Sequence, residues 1–152
     1  MRELGVYAIV APSETPASAL AGLKGVIISG GPSSVYDPGS ATIDPALLAS
    51  GTPVFGICYG QQLMAHLLDG SVQKGDQGEY GFAQLDIGAA DTIFRGVEGR
   101  QQVWMSHRDL VVKAPSGFEV LARTDTCPIA AMAAINPFIV LFMGVGFYQL
   151  FS

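Results

Sequence analysis

Cys58 stands in a Gly-x-Cys-x-Gly sequence, between Gly56 and Gly60. The preceding residues, 52–57, are typical of a β-strand, and residues 60–68 have a helical pattern. A cysteine on a sharp strand-to-helix turn is a nucleophile elbow, where side chains on the flanking residues would clash. The first turn of the helix offers unpaired N–H groups and a positive dipole end, which favour a thiolate. The pattern predicts a reactive cysteine; the alternative is a buried, inert one.

A second glycine-rich turn lies earlier in the chain. Residues 25–29 are apolar and β-branched, and Gly30-Gly31-Pro32 ends this predicted strand. A thiolate that attacks a carbonyl group builds an oxyanion, and a glycine loop leaves backbone N–H groups free to stabilise it. We therefore predict an oxyanion hole formed by the N–H groups of Gly31 and Tyr59. Alone, the glycine turn is typical of any loop; together with the elbow it favours acyl transfer.

A cysteine nucleophile normally needs a histidine base, and the chain has two histidines. His66 lies two turns beyond Cys58 in the predicted helix, so it points along the helix and away from the thiol. His107 lies in residues 104–109, a predicted polar loop between strands, and is the better candidate for a site residue. The alternative for His107 is a loop histidine paired with Asp109.

The order of elements predicts an α/β fold. Residues 44–51 read as a helix, with Asp44 as N-cap, proline at the first helical position and Gly51 after the end. Strand, helix and strand make a right-handed βαβ unit with parallel strands, whose carboxyl ends should carry the chemistry. Beyond residue 70, strands are predicted at 82–87, 102–105, 110–113, 119–122 and 129–133, as a mixed or antiparallel extension of the sheet.

Length and composition limit the function classes. A chain of 152 residues, 49% of them hydrophobic, fits a single domain over residues 1–152. A net charge of −5, without clustered basic residues, excludes nucleic acid and anionic membranes as expected partners. Two cysteines and no apolar signal segment predict the cytoplasm, and Cys127 is expected to be structural. No charged residue follows Asp125, but Asn136-Pro137 and several glycines argue against a membrane helix there.

Four segments resemble the class I glutamine amidotransferases, and among these the glutaminase domains of GMP synthetases. They are Ser-Gly-Gly-Pro-Ser-Ser-Val-Tyr at 29–36, Gly-Ile-Cys-Tyr-Gly-Gln-Gln at 56–62, Glu-Tyr-Gly at 79–81 and Trp-Met-Ser-His at 104–107. Tyr59 and the segment beginning at Trp104 favour the GMP synthetase group over its CTP, anthranilate and carbamoyl-phosphate relatives. The resemblance runs from Met1 to about Met132. It implies a flavodoxin-like, mixed, mostly parallel sheet with helices on both faces.

The resemblance also implies a reaction. Glutamine would be hydrolysed through a thioester on Cys58, and the ammonia released would pass to a separate synthetase domain or subunit that aminates XMP to GMP. The glutaminase domain itself would need no cofactor, because ATP and Mg²⁺ belong to the synthetase domain, which is absent from this chain. The remaining implied roles are oxyanion stabilisation by Gly31 and Tyr59, and glutamine binding by Gln62 and by the backbone around Ser106 and His107. His107 is then a binding residue and not the base.

The sequence departs from the family near its end. The family's base and the acid that orients it come from a His-Pro-Glu segment. Residues 142–151 can be aligned with the stretch that contains this segment. This places Tyr148 where histidine belongs and Leu150 where glutamate belongs. Tyrosine, with an ordinary pKa near 10, is a poor base at neutral pH, and leucine orients nothing. We therefore predict little or no glutamine hydrolysis. A shifted reading frame after about Met132 would explain the uncharged tail equally well.

The beginning of the sequence also differs from the family pattern. In the family, a strand and most of a helix precede the segment that matches residues 2–7, so we expect the central first strand to be missing and strand edges to be unpaired. Two alternatives to an impaired glutaminase stay open. One is a pseudo-enzyme that binds glutamine or docks on a synthetase subunit without catalysis. The other is a non-functional fragment that arises from a misplaced start and a shifted frame.

Overall fold

The computed structural model describes residues 2–88, 93–97, 99–135, 139–142 and 146–147. Within them the chain forms one α-helix, α1 (Tyr59–Leu67), and three short 3-10 helices, Arg2–Leu4, Ala17–Leu20 and Pro45–Ala49. The strands are β1 (Val26–Ile28), β2 (Val54–Ile57), β3 (Ser71–Ile87), β4 (Arg100–Lys113), β5 (Phe118–Arg123), β6 (Ala131–Ala134), β7 (Ile139–Phe142) and β8 (Gly146–Phe147). None of the described helices is long and apolar enough to span a membrane.

The eight strands form a single mixed sheet in the order β1-β2-β7-β6-β5-β3-β4-β8. β1, β2 and β7 run parallel, and the other paired strands run antiparallel. The parallel part is therefore smaller, within the described residues, than the expected mostly parallel sheet. It is nevertheless the part that carries the elbow.

β1 and β2 are neighbours, with Val26 opposite Val54 and Ile28 opposite Gly56. Because parallel strands end at the same edge of a sheet, the loop after β1 and the elbow after β2 face each other, as the βαβ prediction requires. The helix in the connection between them is shorter than the one predicted at 44–51. It is the 3-10 helix Pro45–Ala49, and the Asp44 carboxylate caps it by accepting a hydrogen bond from the Ala46 N–H at 3.0 Å.

β3 and β4 form a long antiparallel hairpin, and here the loop predicted at 104–109 is wrong. These residues belong to β4, where Glu79 pairs with His107 and Lys74 with Asp109. Successive side chains of a strand point to opposite faces, and along this stretch Met105, His107 and Asp109 are buried while their neighbours are exposed. The polar residues that suggested a loop are thus directed into the protein.

The core lies where α1 and the sheet pack together. Met64 and Ala65, on the inner face of α1, are fully buried. Around them lies a cluster of apolar side chains, the fully buried ones being Leu85, Phe94, Val103, Met105, Val111, Cys127, Ala130, Ala131 and Met132. Burial of each large side chain stabilises the fold by about 1.5–3 kcal/mol. This core holds α1 against the sheet and so fixes the position of the residue that precedes α1, Cys58.

Candidate active site

Cys58 occupies the turn between β2 and α1 in a backbone conformation that L-residues rarely adopt, with φ 53° and ψ −110°. The flanking glycines allow this turn. A Cβ atom on Gly60 would lie 2.3 Å from the Ile28 carbonyl oxygen, and one on Gly56 would lie 2.8 Å from the Gly60 carbonyl oxygen. Both contacts are far too short for real atoms, so the elbow needs glycine at each position.

Three separate segments converge on the Cys58 sulfur, and we call Gly31, Cys58, Tyr59 and Ser106 the cysteine junction. The backbone N–H groups of Gly31 and Tyr59 lie close enough to the thiol to lower its pKa. The thiol in turn donates to the Ser106 carbonyl oxygen, at 3.6 Å. The loop after β1, the start of α1 and the strand β4 therefore meet at one half-buried sulfur atom.

The thiolate expected at Cys58 is not favoured in this structure. Burial raises the pKa of the Cys58 thiol above its ordinary value, because a charged sulfur loses its hydration, and hydrogen bonds from the N–H groups of Tyr59 and Gly31 offset only part of this effect. The expectation relied on the end of α1 and omitted the cost of burial. The N–H groups are in place, and their effect on the pKa of the thiol is smaller than that of burial.

Asp109 binds two of the segments that form the cysteine junction. Its carboxylate accepts a hydrogen bond from the Ser34 hydroxyl, in the loop that carries Gly31. Its backbone carbonyl oxygen accepts a hydrogen bond from Gln62 Nε2 at 2.7 Å, on α1. One buried residue of β4 thus ties down the two other segments that reach Cys58. The sequence had suggested Asp109 only as a partner of His107.

His107 instead pairs with Glu79. Its Nε2 lies 3.1 Å from Glu79 Oε2, and the Thr124 hydroxyl donates to the same carboxylate at 3.1 Å. The Asp109 pairing fails because the Asp109 carboxylate is directed to Ser34. The signal for Glu79 was present in the Glu-Tyr-Gly segment of the family resemblance, whereas nothing in the sequence pointed to Thr124.

The other candidates are placed as follows. Gln62, predicted to hold glutamine, is buried, and its amide nitrogen is engaged with β4. Cys127 is fully buried, and burial raises the pKa of its thiol to about 12, which suits a structural residue. His66 is exposed and its ring contacts that of Tyr36. Tyr148 and Leu150 lie outside the described residues.

Sequence comparison identifies the family. The family model for the class-I glutamine amidotransferases matches residues 1–145. GMP synthase [glutamine-hydrolyzing] of Geobacillus kaustophilus is 48% identical over 135 residues, and that of Lactobacillus delbrueckii subsp. bulgaricus is 46% identical over 136. Each match covers 88% of this chain and 26% of the relative. The chain thus spans about a quarter of the length of these relatives.

Comparison with solved structures finds the same fold in members of this family. The crystal structure of a putative GMP synthase subunit from Thermoplasma acidophilum superposes with a TM-score of 0.85 at 28% identity, covering 94% of this chain and 73% of that one. A glutamine amidotransferase from Thermotoga maritima, 21% identical, shares the fold with a TM-score of 0.67 over 78% of this chain and 54% of its own. The α/β, flavodoxin-like fold class is thereby confirmed. This chain belongs to the class I glutamine amidotransferase family.

Proposed function

We propose that the chain is the glutaminase part of a GMP-forming system and that Cys58 is its nucleophile. The Cys58 sulfur attacks the side-chain amide carbon of glutamine, and a C–S bond forms. The tetrahedral intermediate collapses with cleavage of the C–N bond, and the nitrogen leaves as ammonia with the proton that the thiol has given up. Water then hydrolyses the thioester to glutamate and restores the thiol.

The observation that supports this proposal is the convergence of two backbone N–H groups on the Cys58 sulfur. Donors held within reach of a nucleophile are also within reach of the oxygen that becomes negative when the nucleophile attacks. Gly31 and Tyr59 supply these N–H groups from two different segments, and both segments are bound to Asp109 through Ser34 and Gln62. Such donors stabilise an oxyanion without having to reorganise during the reaction.

The glutamine site is proposed beside the same atoms. The Ser106 carbonyl group, in the residue before His107, lies next to the sulfur. We propose that the backbone around these two residues forms the glutamine site. It would bind the amino-acid end of glutamine, with Gln62 supporting it from α1. The contact between buried His107 and half-buried Glu79 holds this stretch of β4 in place.

The ammonia acceptor is proposed from the matched relatives, which are named GMP synthases and are about four times as long as the matched region. A synthetase domain or subunit that uses ATP and Mg²⁺ would take the ammonia and aminate XMP. We propose no cofactor for the glutaminase part itself. With Tyr148 and Leu150 in place of the family's histidine and glutamate, release of the thioester is expected to be slow.

Hydroxylamine trapping tests the proposal, because hydroxylamine cleaves a thioester and forms a γ-glutamyl hydroxamate. The purified chain mixed with glutamine and hydroxylamine should form hydroxamate, and the Cys58→Ala variant should form none. The Cys127→Ala variant is the matched control and should behave as the parent chain. Ammonia release without hydroxylamine should stay far below one turnover per second, against a usual range of about 1–1,000 per second for enzymes.

A glutamine-binding pseudo-enzyme is the second candidate, favoured by the raised pKa of the Cys58 thiol. It predicts heat of glutamine binding by calorimetry in the parent chain, without hydroxamate. Absence of both heat and hydroxamate would exclude both candidates. Fast ammonia release that depends on Cys58 would support the proposed glutaminase activity and contradict the predicted slow turnover.

A further inference from the structure

The turn between β5 and β6 is fastened to β4 at its beginning, and we call residues 124–129 the bridging turn. The Thr124 hydroxyl donates a hydrogen bond to the Glu79 carboxylate at 3.1 Å, and that carboxylate lies 3.1 Å from Nε2 of His107. Thr124 and His107 are buried, so water does not replace these partners when they are lost. The contacts therefore bind the bridging turn to β4 at the residue that follows Ser106.

The end of the bridging turn is fastened to α1. Nε2 of Gln61 donates a hydrogen bond to the Ile129 carbonyl oxygen at 3.1 Å, and both residues are buried. The other polar atom of this amide, Oε1, has no hydrogen-bond partner within the described ranges of the chain. Because a buried acceptor without a partner destabilises the fold, an amide at this position is a poor choice for core packing alone. What the amide provides is the attachment of the bridging turn to the helix that begins beside Cys58.

The bridging turn itself is closed by two hydrogen bonds. The Thr124 N–H donates to the Cys127 carbonyl oxygen at 2.9 Å, and the Cys127 N–H donates to the Thr124 hydroxyl oxygen at 3.0 Å. The Thr124 hydroxyl thus donates a hydrogen bond to Glu79 and accepts another from within the turn. A methyl group in place of the hydroxyl would remove both bonds. One side chain therefore joins the shape of the turn to its attachment to β4.

The two attachments determine the distance across the cysteine junction. Cys58 immediately precedes α1, and its thiol donates to the carbonyl oxygen of Ser106, in β4, at 3.6 Å. α1 and β4 are already joined by the hydrogen bond from Gln62 to the Asp109 carbonyl oxygen. A helix held to a strand by one hydrogen bond can still pivot about it, whereas a second attachment removes this freedom. The bridging turn is that second attachment.

We propose that Gln61 and Thr124 are positioning residues, which hold the Ser106 carbonyl group at the Cys58 sulfur through the bridging turn. As far as catalysis is concerned, the proposal rests on the proposed function, in which the backbone at Ser106 binds glutamine. Attack requires reacting atoms about 3–3.5 Å apart in a fixed orientation. A thiol displaced from the glutamine-binding backbone therefore reacts more slowly, although Gln61 and Thr124 take no part in the bonds that form and break.

Infrared spectroscopy of the thiol tests the proposal on the full chain. The S–H stretching band of a thiol shifts to lower frequency when the thiol donates a hydrogen bond, so the band of Cys58 reports its bond to Ser106. Cys127→Ala leaves Cys58 as the single thiol and serves as the parent chain. In this background Thr124→Val and Gln61→Met should each shift the band to higher frequency. An unchanged band in either variant would overturn the proposal.

Two matched variants separate positioning from a general loss of stability. Thr124→Ser keeps the hydroxyl group and should retain the band of the parent chain. Val72→Ala removes part of a buried core side chain outside the bridging turn, and should lower the free energy of unfolding while the band stays in place. A shift in Val72→Ala or in Thr124→Ser as large as that in Thr124→Val would contradict the positioning role.

Hydroxamate formation connects the band to the reaction. Thr124→Val should lower the maximal rate per folded chain, at saturating glutamine, about tenfold or more, and Thr124→Ser should stay within about twofold of the parent chain. Equal maximal rates in the parent chain and in Thr124→Val would show that the bridging turn does not position the thiol for attack. A parent chain that forms no hydroxamate would count against the proposed function, whereas the band shifts would still decide whether the bridging turn holds Ser106 at the sulfur.

Discussion

The cysteine junction and the groove that residues 5–13 form with residues 22–33, called the edge groove, share the strand β1 and differ in how their backbone is held. β1 leads into Gly31 at its end and forms a wall of the groove along its side. At the junction, each segment that reaches Cys58 is tied by hydrogen bonds from buried or half-buried groups. At the groove, residues 6–11 have no such bonds within the described chain. The comparison shows that the hydrogen bonds that hold the junction come from the loop after β1, from α1 and from β4, and not from residues 6–11.

The largest difference between the two regions is expected when a Gly→Ala substitution adds one methyl group to each. Gly60→Ala puts a Cβ atom 2.3 Å from the Ile28 carbonyl oxygen, and the elbow must deform. We expect a loss of about 3 kcal/mol in the free energy of unfolding, measured by urea denaturation. Gly25→Ala, on the groove wall, meets its nearest atom at 3.4 Å and should lose less than about 1 kcal/mol. Equal losses would show that the elbow is not the more constrained region.

The second effect concerns the bonds that fasten the junction. Asp109→Asn replaces the carboxylate that accepts the Ser34 hydrogen bond, and should lower the free energy of unfolding by about 1–3 kcal/mol. The matched control is Asp86→Asn, which breaks an exposed ion pair with Arg100 at the far end of the same strands. Exposed pairs of this kind often contribute nothing measurable. Asp109 would lose its proposed role if both variants unfolded at the parent's urea concentration.

The third effect is a difference in pH dependence between two thiols. Burial raises the pKa of the Cys58 thiol above its ordinary value, so its alkylation by iodoacetamide should reach half its maximal rate at a higher pH than that of an exposed thiol. A reporter thiol made by Val10→Cys, fully exposed on the groove wall, should reach it near pH 8.5. Peptide-resolved mass spectrometry separates the two rates. A lower midpoint for Cys58 than for the reporter would mean that the N–H groups outweigh burial.

The smallest effect is expected at the groove surface. Val10→Ser exchanges an apolar for a polar side chain at a position that is fully exposed in the chain alone. The free energy of unfolding should stay within about 0.5 kcal/mol of the parent. In contrast, Met64→Ala, next to the junction, removes a fully buried side chain and should cost at least about 2 kcal/mol. A large loss at Val10 would show that the groove is already filled in solution.

The sequence predicted the parts of the site that depend on local backbone. The elbow at Cys58, the loop at Gly31 and their opposition across parallel strands follow from glycine positions and from the order of strand and helix. The capped turn at Asp44 is also local. These features need no knowledge of distant residues.

The features that sequence missed are long-range. The Ser34 to Asp109 bond joins residues 75 positions apart, and the Thr124 to Glu79 bond joins residues 45 apart. The polar run at 104–109 favours a loop because polarity usually means exposure. In β4, however, each second residue of this run is buried, and the two polar ones, His107 and Asp109, have side-chain partners. The raised pKa of Cys58 escapes sequence reasoning for the same reason, since burial arises from the whole fold.

Site-resolved labelling of the chain with a chloroketone derived from glutamine tests the central claim, that Cys58 is a nucleophile in a glutamine site. We expect the label on Cys58 and not on Cys127, and we expect free glutamine to slow the labelling of Cys58 in proportion to its occupancy. Glutamine should leave the slower alkylation of Cys58 by iodoacetamide less affected. Labelling of both cysteines at equal rates, or labelling of Cys58 that glutamine does not slow, would contradict the account.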